Sequence, residues 1–64
     1  MSRARFALTL ALRLICQEQE GPMLRHIMDL CKSLVSAKHR HIRLVARRLL
    51  DPTRINRAYF KSVL

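Results

Sequence analysis

One glycine, two prolines, no tryptophan, four acidic residues and two cysteines in 64 residues leave this chain short of the parts from which sheets and catalytic sites are built. A single Gly provides no glycine-rich phosphate loop. Four acids supply no carboxylate pair and no base beside a nucleophile, so an enzyme is not expected. Cys16 and Cys31 are too few for a disulfide framework. Both fall on apolar helix faces and read as reduced core thiols, which points to an intracellular, cytoplasmic location. His26, His39 and His41 lack helical ligand spacing and have no Cys-x-x-Cys beside them, so no metal and no cofactor is expected.

Long apolar runs are absent as well. Phe6 to Leu12 is cut short by Arg13, far below the roughly 20 residues a membrane span needs. The opening Met1-Ser2-Arg3-Ala4-Arg5 resembles the start of a signal peptide, but Gln17-Glu18-Gln19-Glu20 follows where a small-residue cleavage site belongs. Residues 1–17 are amphipathic, Arg-containing and free of acid, which also suits a mitochondrial presequence, so a mitochondrial or membrane-peripheral location is the alternative.

Half the residues are apolar, too many for a disordered basic tail. Ala, Leu, Arg and Lys dominate, and all favour helix. The expectation is an all-α protein, one small helical domain over residues 1–64. A chain this short buries only roughly 60% of its unfolded surface, so a partner or self-association is expected to support it.

Two breakers divide the chain. Gly21-Pro22 ends one helix and begins the next with Pro at its first position, and Asp51-Pro52 repeats the device with Asp51 as cap. Three helices follow, at about 3–19, 22–50 and 52–63. In the first, Ala7, Leu8, Leu10, Ala11, Leu12, Leu14 and Ile15 share an arc opposite Thr9, Arg13 and Gln17. In the second, the series Leu24, Met28, Cys31, Val35, Lys38, Ile42, Val45 and Leu49 holds an alternating four-three spacing with Lys38 as its one violation. That phase favours a continuous helix roughly 43 Å long, with Lys38-His39-Arg40-His41 as the place where it would break. Two shorter helices cannot cover such a stripe. Leu24, Met28, Cys31, Val35, Ile42, Val45 and Leu49 are therefore expected to form a core or an interface, with a homodimer as the simplest arrangement.

Charge is distributed unevenly. Of the net +9, +1 lies in residues 1–31 and +8 in residues 32–64, where Asp51 alone answers nine cations. Such a segment calls for an anionic partner. Arg40, Arg43 and Arg47 recur at three- and four-residue steps with Arg48 flanking them, and Arg54, Arg57 and Lys61 repeat the pattern in the last segment. Arg offers a planar fork matched to phosphate oxygens. These seven are the candidate nucleic-acid contacts of a small DNA- or RNA-binding regulator or accessory protein. Residues 45–59 also resemble a helix-turn-helix, as an analogy of fold. In that reading Thr53, Arg54, Asn56 and Arg57 approach the nucleic acid, although the turn lacks its usual Gly. Two other readings use the same residues: an amphipathic-helix protein on an anionic membrane surface, and a small adaptor or inhibitor of a larger protein.

Overall fold

The computed structural model describes residues 2–51, 53 and 55–64. Every regular element among them is helical: α1 (Arg3–Cys16), α2 (Pro22–Leu30), a 3₁₀ segment (Lys32–Ser36), α3 (Arg40–Leu49) and α4 (Arg57–Val63). The all-α expectation holds, but there are four α-helices where three were expected.

The ends of α1 follow from local chemistry. Ser2 stands at its N-cap and its Oγ accepts from the Arg5 N–H at 3.1 Å. At the other end the Gln19 N–H donates to Leu14 O at 2.9 Å and the Glu18 N–H to Ile15 O at 3.0 Å. This is a Schellman closure, with Glu18 in the left-handed position at φ 57° that Gly usually fills. The closure stops α1 at Cys16, short of the expected residue 19. Gly21 then turns the chain at φ 146° and ψ −171°, a conformation close to glycine-only, and Pro22 opens α2 as expected.

The long helix over 22–50 does not form. The chain tightens into the 3₁₀ segment and becomes extended at Ala37 (ψ 148°) and His39 (ψ 116°) before α3 begins. A rod of about 43 Å exceeds the molecule's longest dimension of 29 Å. Ser33, Val35, Ser36, His39 and His41 are mediocre helix formers, so interrupting the helix here costs little. The gain is larger. Folding back carries Val45, Ala46 and Leu49 into the core already occupied by Leu24, Ile27, Cys31 and Leu34. Each large apolar side chain so buried contributes about 1.5–3 kcal/mol, against about 0.5–1.5 for each net hydrogen bond given up.

α1 lies at the centre, packed against α2 and α4, while α3 packs against the 3₁₀ segment. Ala7, Leu8, Ala11, Leu12 and Ile15 are buried from α1, and Phe60 of α4 is fully enclosed. Of the seven residues expected in core or interface, Leu24, Cys31, Val45 and Leu49 are buried, and Met28, Val35 and Ile42 pack partly buried against them. One chain thus covers the stripe that had called for a second copy. Cys31 donates its thiol to Met28 O at 3.2 Å, and burial pushes that thiol above its ordinary pKa. Both cysteines are free, Cys31 buried and Cys16 half-buried.

The last helix begins at Arg57, five residues later than expected. Asp51 does act as a cap, its Oδ1 accepting from the Thr53 N–H at 3.0 Å and hydroxyl at 2.7 Å, ahead of α4, and the expected start at Pro52 lies outside the described residues. Asn56 starts α4, its Oδ1 accepting from the Tyr59 N–H at 3.1 Å. Seven residues therefore separate α3 from α4, where a helix-turn-helix uses a turn of three or four, and α4 packs on α1. The helix-turn-helix arrangement is not formed.

Candidate functional site

Three of the seven nominated cations spend a nitrogen inside the protein. When a helix ends, its last carbonyls lose their intrahelical donors and something must replace them. Arg43 Nη1 donates to Ala37 O at 2.9 Å and Arg47 Nε to Val35 O at 3.2 Å, so two turns of α3 tie off the end of the 3₁₀ segment. At the end of α1, Arg57 Nε adds a second donor at 3.1 Å to Ile15 O, which already accepts the Glu18 N–H. The terminal nitrogens of Arg57 lie 3.9 Å from both Glu18 and Glu20. A cation at a helix C-terminus also offsets the negative end of the helix dipole.

Arg48 has another partner. Its guanidinium carbon sits 4.2 Å from the centre of the Tyr59 ring, a cation–π contact bridging α3 and α4. Arg40 is exposed in the first turn of α3, and Lys61 is exposed in the last turn of α4. Arg54 lies outside the described residues. The structure thus gathers Arg40, Arg43, Arg47 and Arg48 on one helix, gives Arg57 a place at the end of α1, and leaves Lys61 on α4.

An anchored guanidinium remains able to bind. Arg carries five N–H donors, and Arg47, exposed and held through Nε, keeps the others. Holding the side chain in place lowers the entropy lost when a phosphate arrives. Arg43 is half-buried and more fully committed to the fold. Sequence reasoning missed this structural work because it favoured a continuous helix through residue 36, with a break at 38–41 only as the alternative. The distance in sequence, 42 residues between Arg57 and Ile15, is beyond any periodicity argument.

The acids sit elsewhere. Asp29 pairs with Lys32 at 2.9 Å, and that contact holds the Asp29 carboxyl below its usual value and the Lys32 ammonium above its own. Glu18 and Glu20 face Arg57. Among the described residues the cations of α3 form no ion pair. At its start α3 also has no acidic residue in the first turn and no side-chain hydrogen bond at its N-cap, His39. Lys38, Arg40 and Arg43 crowd the end where the helix dipole is positive, which is the destabilising arrangement. Lys38, exposed just before α3, stood in the sequence as the one flaw in the apolar stripe and was not among the seven nominated contacts.

Among the described residues no group of three His, Cys, Asp or Glu side chains is placed to hold a metal ion, and no helix is long and apolar enough to cross a membrane. No protein family, no curated protein and no solved structure matches the chain.

Proposed function

We propose that this protein binds nucleic acid through the start and exposed face of α3, with Lys38, Arg40, Arg47 and Arg48 as phosphate contacts. The observation that carries the reading is the set of α3 cations that form no ion pair among the described residues, with Lys38 and Arg40 at the positive end of a helix without a side-chain cap. Mutual repulsion opposes the set and the dipole opposes Lys38 and Arg40, and a bound polyanion relieves both. Arg43 and Arg57 serve chiefly to hold the fold. Contacts of this kind grip the backbone and carry no sequence information.

A membrane-surface role fits less well. It needs the apolar arcs of the first two helices, and those arcs form the core. Fluorescence anisotropy on a short labelled duplex tests the choice. Four phosphate contacts predict a log–log salt slope of about −3.6 on B-DNA, and Lys38→Gln with Arg40→Gln predicts a slope shallower by about 1.8. An unchanged slope, or tighter binding to anionic vesicles than to duplex DNA or RNA, overturns the proposal.

A further inference from the structure

A recess of about 420 Å³ lies between α3 and the start of α4, lined by Arg48, Thr53, Ile55, Asn56 and Tyr59. One wall is a stacked pair. The Arg48 guanidinium lies over the ring of Tyr59, the single tyrosine of a chain without tryptophan. Ile55 adds an apolar surface that is 40% exposed. The polar groups are few and of both kinds. Among the described residues the Arg48 guanidinium, the Asn56 amide nitrogen and the Tyr59 hydroxyl donate no hydrogen bond. The Thr53 hydroxyl gives its proton to Asp51 Oδ1 and keeps its capacity to accept.

A planar cation backed by an aromatic ring, an apolar neighbour, and donors beside an acceptor are what a flat heteroaromatic ring with hydrogen-bonding edges requires. A base inside a duplex is stacked and paired already, whereas an unpaired base is free to enter. Arg48 joins the recess to the cations of α3, so a strand whose phosphates are held there carries its bases past the opening. We infer that the recess takes one unpaired nucleobase of a single-stranded or looped nucleic acid, stacked on the Arg48 and Tyr59 pair with its edge at Asn56 and Thr53. The inference rests on the proposed nucleic-acid binding and adds a preference for unpaired bases, which phosphate contacts alone do not supply.

The test compares a short single-stranded oligonucleotide with an abasic strand of the same length and charge, each bound to the intact protein. The base-bearing strand should bind at least about fivefold more tightly. Arg48→Lys keeps the charge and removes the plane, so it should erase most of that advantage while leaving affinity for the abasic strand within about twofold. In the wild-type protein, where no variant has to fold, the Tyr59 ring signals should shift in NMR titration with the base-bearing strand and stay in place with the abasic one. Equal affinity for the two strands, an advantage that survives Arg48→Lys, or Tyr59 signals that move equally with both overturns the inference and leaves phosphate binding standing. Failure of both strands to bind at low salt overturns the phosphate reading and the inference with it.

Discussion

Replacing Arg57 by Met keeps the apolar stem of the side chain and deletes its charge and donors. Three interactions end with them. The charge-assisted hydrogen bond from Nε to Ile15 O, 3.1 Å and partly buried, is worth about 1.5–3 kcal/mol. The cation at the C-terminus of α1 contributes about 0.3–1 kcal/mol more. The contacts with Glu18 and Glu20 at 3.9 Å, between side chains 43% and more than 70% exposed, add little, because water screens them. The loss is about 2 kcal/mol, a large share of the roughly 3–5 that a single core supplies in a chain of this size. Urea unfolding followed by far-UV circular dichroism measures it. With a slope near 1 kcal/mol/M, the midpoint should fall by about 2 M. Glu18→Gln with Glu20→Gln should move it by less than half as much, and high salt should leave the Arg57→Met deficit largely in place. A deficit that vanishes in salt, or one matched by the Glu pair, would show that Arg57 acts as a surface ion pair and not as a helix-end donor.

Other substitutions separate the backbone from the core. Phe60→Ala empties a fully enclosed position and should cost about 3–5 kcal/mol, enough to abolish the cooperative thermal transition. Glu18→Gly relieves the left-handed strain at φ 57° and should raise the urea midpoint, by about 0.5–1 kcal/mol in stability. Gly21→Ala should lower stability by about 1–3 kcal/mol through backbone strain alone, since nothing lies within 4 Å of the added carbon. Burial raises the Cys31 thiol pKa, so the unfolded chain ionises first and folding stability should fall as pH rises through the ordinary thiol range towards the folded value. A maleimide should label Cys16 well before Cys31, and equal rates would place Cys31 outside the core.

What was legible in the sequence was the identity of the buried faces. On α1 the arc centred on Ala7, Ala11 and Ile15 is buried and Thr9, Arg13 and Gln17 are exposed, as the helical period requires. Gly21-Pro22 marked a true boundary because both residues act through their own backbone. The reach of each helix was less legible. Broad apolar arcs keep phase across a break almost as well as along a continuous helix, so Leu24 to Leu49 fitted one helix while folding as two. Asp51-Pro52 carried the residues of a helix start, yet Asn56 provides the cap that α4 uses.

The candidate site was legible as charge and not as geometry. The excess in residues 32–64 survives folding as the cations on and before α3. Their division into anchored and exposed groups depends on which carbonyls the chain reversal orphans, and that is fixed only by tertiary structure. Ile55 shows the same limit. It shares the apolar side of the last segment with Phe60, yet lies before α4 and is 40% exposed.

Amide NMR mapping of the protein against a short nucleic-acid duplex at low salt reads out phosphate contact by α3. Shifts should concentrate from Lys38 to Arg48 and weaken together as salt rises, with the signals of α2 and of Leu8 and Leu12 unmoved. Shifts centred on α1 or α2, or none at all at low salt, would contradict it.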